Sequence, residues 1–151
     1  MTPDSAIISI LSEQVNSYKN LHALLSRERE CLVAIDSERI ETISKEKDTV
    51  IMRLRLLEEE RQRLLREFAR DHSCNDDINL DDLAEITGNG LFRDLRLQLR
   101  SLLQSIEEIN RFNAILIDRS LSHLKTNSNF LRLFRSGPHP QSTGVLLSKE
   151  T

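Results

Sequence analysis

Neither proline nor glycine occurs between Asp4 and Thr87, and neither occurs between Leu91 and Ser136. Those two residues interrupt helices, at about 3 kcal/mol for proline and 1 kcal/mol for glycine in a helix interior. Both stretches also carry apolar residues at three- and four-residue spacing, the repeat of one helix face. A chain so free of breaks folds as long helices that pack on one another or on a partner. At 151 residues it has the size of a single domain. Charged residues make up 30% and aromatic residues 4%, with no tryptophan, as in bundles rich in Leu, Glu and Arg. The fold class expected is all-α.

The net charge of −3 hides a gradient: residues 36–87 carry fifteen acids against nine bases, residues 88–151 five against nine. The basic last third is scattered over helix faces without stacking aromatics, so nucleic acid is not the expected partner. Cys31 and Cys74 form no CxxC pair, which suits a reduced, cytoplasmic protein. No signal peptide is visible, and no run approaches the ~20 apolar residues that insertion into a membrane requires.

The first helix is expected over about residues 3–35, opened by Thr2, Pro3 and Asp4. Its stripe reads Ile8, Leu11, Val15, Tyr18, His22, Leu25, Arg29, Leu32, with polar His22 and Arg29 on the seam. Asp36 caps a second helix over about 37–71, whose stripe is Ile40, Ile43, Lys47, Val50, Leu54, Leu57, Arg61, Leu64, Phe68. Glu41/Lys45 and Glu59/Arg63 are favourable pairs four residues apart. So short a break suits an antiparallel hairpin; a kinked continuous helix is the alternative. Residues 71–79 are a polar, acidic loop. A short helix at about 80–87 follows, capped by Asn79 and stopped by Gly88, with Leu83 and Ile86 pinning it down. The last helix, about 91–135, carries Phe92, Leu95, Leu99, Leu102, Ile106, Ile109, Asn113 and Leu116 and could reach about 60 Å. The expected architecture is an antiparallel long-helix hairpin plus a long third helix, a coiled-coil-like bundle in one domain over residues 1–136. Residues 137–151 are expected to be a flexible tail holding Val145, Leu146 and Leu147.

Chemistry-bearing constellations are thin. His72, Cys74, Asp76 and Asp77 share a loop but lack zinc-ligand spacing, so no metal is expected. His123 with Lys125 resembles the His and Lys of histidine phosphotransfer bundles, at the wrong spacing and without the following glycine. There is no triad, no phosphate-cradling glycine loop and no catalytic carboxylate pair, so neither an enzyme nor a cofactor is expected. Asn113 lies in the apolar seam one turn from Asn110; an Asn there costs stability and fixes register or partner choice, or is a satisfied core amide. Phe130-Leu-Arg-Leu-Phe134 is the densest apolar patch outside the stripes, past the point where the hairpin could cover the last helix. An overhanging apolar helix face is a partner site.

Four motifs, in order, resemble the FlgN family of flagellar export chaperones. Glu28-Arg-Glu-Cys-Leu-Val-Ala-Ile-Asp36 is similar to that family's turn between its first two helices. Ile40-Glu-Thr-Ile-Ser-Lys-Glu-Lys47 and Leu57-Glu-Glu-Glu-Arg61 resemble its second helix, and Asn110-Arg-Phe-Asn113-Ala-Ile-Leu116 its third. The resemblance covers about residues 15–135; Cys31 stands where a small residue is common, and the tail lacks the aromatic residue many members carry before Gly144. It implies a cytoplasmic chaperone for the hook–filament junction proteins FlgK and FlgL, which hands them to the flagellar type III export gate. Client binding in the family is associated with the C-terminal part. Carried onto this chain, that points to Leu124, Phe130, Leu131, Leu133 and Phe134 for apolar grip, with Arg132 and Arg135 for orientation. A generic scaffold that homodimerises through the last helix and a phosphotransfer bundle using His123 are the alternatives.

Overall fold

The computed structural model describes residues 2–123. Four helices follow one another: α1 (Pro3–Ala34), α2 (Ser37–Asp71), α3 (Leu80–Thr87) and α4 (Leu91–His123). Among the described residues there is no strand, and the chain is an all-α bundle. The expected helix beyond position 123 and the tail at 137–151 lie outside the described residues.

Local chemistry sets the ends. The Thr2 side chain accepts from Ser5 N, with Pro3 in the first turn of α1. Asp36 Oδ1 accepts from Arg39 N at 3.2 Å to open α2. Asn79 and Asp82 form a reciprocal capping box on α3, each side chain bonding the other's backbone N–H. Gly88, at φ 69°, closes α3 in the left-handed region that glycine enters freely.

The end of α1 is different. Its cap is Ile35 at φ 54° and ψ 44°, with its N–H bonded back to Leu32 and Cys31 carbonyls. A β-branched residue in the left-handed region is a genuine outlier, costing roughly 1–2 kcal/mol. It reverses the chain within two residues, so α1 and α2 form a hairpin and not a kinked rod.

Cross-links between helices fix direction. Gln14 meets Glu58, and Glu28 meets Lys47, so α1 and α2 are antiparallel. Asn113 bonds the Leu25 carbonyl across a separation of 88 residues. That point lies about 33 Å along α4 from Leu91 at the opposite end, so α4 runs parallel to α1. Helix α1 packs along both α2 and α4, and α3 packs on α4.

This middle position of α1 corrects the stripe read from sequence. Its inward column is Ile7, Leu11, Gln14, Tyr18, Leu21, Leu25, Glu28, Leu32, all buried. His22 is half-buried and Arg29 exposed, so the polar residues in the seam are Gln14 and Glu28. A helix gripped on two sides buries a wide arc, and two interleaved stripes fit inside it. The main core joins Ile7, Leu11, Tyr18, Leu21 and Leu25 to Leu54 and Phe68 of α2, Leu83 of α3, and Phe92, Leu99 and Ile106 of α4. Ile86 stays exposed, and Leu80, Leu83 and Ala84 hold α3 down in its place. A smaller cluster of Leu24, Cys31, Leu32, Ile40 and Ile43, with Leu116 and Ile117 against it, fills the hairpin end.

Candidate functional site

Two buried polar layers cross the core, fourteen positions apart on α1. In the first, Gln14 Nε2 donates to Glu58 Oε2 at 3.1 Å, and Arg61 forks onto the same carboxylate at 2.8 Å through Nε and Nη2. Gln62 Nε2 adds a further bond at 2.9 Å. In the second, Glu28 Oε2 accepts from Lys47 Nζ at 2.7 Å and Glu28 Oε1 from Asn113 Nδ2 at 2.9 Å. Asn113 Nδ2 also reaches the Leu25 carbonyl at 2.9 Å. Glu28 thus ties α1 to α2 and α4 at one level. The side chains of Glu28 and Lys47 are 8% and 14% exposed, and Asn113 is 1% exposed. The amide oxygens Gln14 Oε1 and Asn113 Oδ1 are buried with no hydrogen-bond partner among the described residues.

Asn110, the other polar residue singled out in α4, is half-buried. Leu124, Phe130, Leu131, Arg132, Leu133, Phe134 and Arg135 lie outside the described residues. So does the side chain of His123, where the description of α4 ends.

The loop at 72–79 is engaged in holding the end of α2. The His72 ring stacks on Phe68 with centroids 3.9 Å apart, its Nδ1 lies 2.9 Å from the Phe68 carbonyl, and the Cys74 thiol points to the His72 carbonyl. Among the described residues no group of three or more His, Cys, Asp or Glu side chains is placed to hold a metal ion. A cleft of about 740 Å³ opens between α2 and α4, floored by Leu65, Leu80 and Leu99 and edged by Arg66, Asp76 and Arg96. Its rim is polar on both sides, which suits water better than an apolar helix.

Surface charge is locally paired. Glu41 meets Lys45 at 3.5 Å as its spacing predicts. Arg63, expected to meet Glu59, grips Glu60 on one side and Glu67 on the other. The Arg63 hydrogen bonds hold the Glu60 carboxyl below its ordinary value, and the two carboxylates push the guanidinium up.

Exposed apolar residues occur along the bundle, Met52 and Leu56 on α2, Ile86 on α3 and Leu91 and Leu97 on α4 among them, and at the hairpin end as well. Val33 is 67% and Ile35 51% exposed, on the last turn and cap of α1. Phe112 and Ile115 are about equally exposed on α4. The offset of 88 between Leu25 and Asn113 sets Ile35 level with His123.

A family model described as FlgN protein matches residues 1–139. The chain belongs to the FlgN family. The match spans the hairpin, α3, α4 and the segment from Leu124 to Arg135. Membership makes the chain one of the flagellar export chaperones. Comparison with curated proteins and with solved structures gave no match. Among the described residues of this FlgN chain no helix is long and apolar enough to cross a membrane.

Proposed function

We propose that this FlgN-family chain holds hook–filament junction proteins of the FlgK and FlgL kind in the cytoplasm and passes them to the flagellar export gate. The grip is the segment from Leu124 to Arg135. Five apolar side chains there, Leu124, Phe130, Leu131, Leu133 and Phe134, are each worth roughly 1.5–3 kcal/mol gross when buried. Ordering chaperone and client subtracts several kcal/mol. The remainder suits a complex that holds and then releases. Arg132 and Arg135 set orientation and speed encounter more than they add affinity.

One observation carries this reading: the register of Asn113 on Leu25 ends α1 level with position 123, just before the apolar segment starts. Among the described residues, each buried apolar side chain precedes position 110. The test is capture of purified junction protein by the full chain and by a chain ending at Ser128. Loss of capture with helicity retained supports the grip. Undiminished capture by the truncated chain, or loss of self-association in place of client binding, overturns it.

A further inference from the structure

The outer face of α4 carries a pattern that complements itself when turned end over end. Its exposed column is Glu108, Phe112, Ile115 and Arg119, spaced four, three and four residues, so the four side chains line one stripe. Phe112 is 48% and Ile115 50% exposed, on the side of α4 away from buried Ile106 and Asn113. Neighbouring Arg111 meets Glu107 at 3.8 Å, whereas Glu108 and Arg119 make no ion pair among the described residues. Ser105 and Ser122 continue the stripe at its two ends with short side chains.

The stripe's centre lies midway between Phe112 and Ile115, and about that point its residues match by type. A two-fold turn brings the second copy's Ile115 onto Phe112 and its Phe112 onto Ile115. The same turn sets Glu108 against the second copy's Arg119, Arg119 against its Glu108, and Ser105 against its Ser122. Such self-complementarity is what a contact between identical patches requires, and each unpaired charge gains an opposite one. The exposed pair Met52 and Leu56 on α2 fails this operation, because it sets Lys45 against Arg63 and Asp48 against Glu60, like charge on like. Exposed Leu97 has only polar residues three and four positions away, so it heads no apolar stripe.

We infer that this stripe is an interface at which α4 of a second copy docks antiparallel, Phe112 on Ile115 and Glu108 on Arg119, each contact made twice. From Ser105 to Ser122 it runs about 25 Å. One helix stripe belongs with the small interfaces, below about 1,200 Å², so the dimer forms and separates readily with concentration. Every residue of the stripe precedes position 124, which makes self-association separable from the proposed client grip. The test is sedimentation equilibrium of the full chain over a concentration series, with circular dichroism as the control for folding. Glu108→Arg sets two bases against each other at both contacts, and Arg119→Glu sets two acids. The expected result is a native monomer–dimer equilibrium that either single variant weakens at least tenfold at unchanged helicity. An equimolar mixture of the two variants should recover the native strength, because one copy then carries two bases and the other two acids. Phe112→Ser/Ile115→Ser should leave only monomer. A native chain that stays monomeric even in the most concentrated sample overturns the interface. So does a Glu108→Arg chain that dimerises as tightly as the native one, since the contact then lies on another face or runs parallel. A mixture that associates no better than either variant alone overturns the antiparallel pairing.

Discussion

Glu28, Lys47 and Asn113 form the one of the two buried polar layers that joins three helices. Burying a charge pair costs desolvation that its attraction only partly offsets, while removing one partner strands the other. Lys47→Met therefore destabilises by about 3 kcal/mol, measured as a lowered urea midpoint at unchanged slope. Replacing all three by Glu28→Leu, Lys47→Met and Asn113→Leu recovers most of that loss, because no polar group is then left unpaired. A different residue reports on pH. Glu60 is ionised more readily in the folded chain than its ordinary value of 4.5 because Arg63 bonds it. Its contribution is present above that value and lost as pH falls through the lowered one. Glu60→Gln is thus less stable than the native chain near neutrality, and the gap in Tm closes on acidification. Lys47 and Asn113 were both legible as polar positions in apolar stripes. Glu28 was not, because hydropathy at three–four spacing prefers the stripe through Val15 and His22 to the one through Gln14 and Leu21. The buried column is selected by where two neighbours sit, and that is information between helices and not within one.

At the scale of the element, helix starts were written plainly and helix ends less so. Thr2-Pro3-Asp4, Asp36 and Asn79 announce their helices through side chains that accept from the first turn. Asn79→Ala removes half of the capping box and costs about 1 kcal/mol. The loss is read most directly as faster hydrogen exchange over Leu80–Thr87, since an eight-residue helix has little else to hold it than Leu80, Leu83 and Ala84. Gly88 marks the end of α3 for the same reason that glycine marks most such ends. The end of α1 carries no such signal: an isoleucine occupies the left-handed cap, and sequence alone left hairpin and kinked rod both open. Tertiary packing decided, through Leu24, Cys31 and Leu32 closing against Ile40 and Ile43 across the turn.

For the whole molecule, the core formed by the described residues and the proposed grip occupy different lengths of one continuous sequence. Among the described residues, every member of the two apolar clusters, including those packed at their margins, lies at or before Ile117. The buried polar layers end at Asn113. A chain that stops at Ser128 should therefore unfold within a few degrees of the full chain, with the same urea slope, because the slope tracks surface buried on folding. The outcome discriminates between two kinds of molecule. A bundle that needs residues 129–135 to complete its core loses an apolar cluster on truncation, and its midpoint falls by far more. A bundle that presents them loses only the ability to hold a guest. Thermal unfolding and junction-protein capture, run on the same two chains, separate those cases: capture lost at constant Tm places the apolar segment in service of a partner, and capture lost with a collapsed Tm returns it to the chain's own interior.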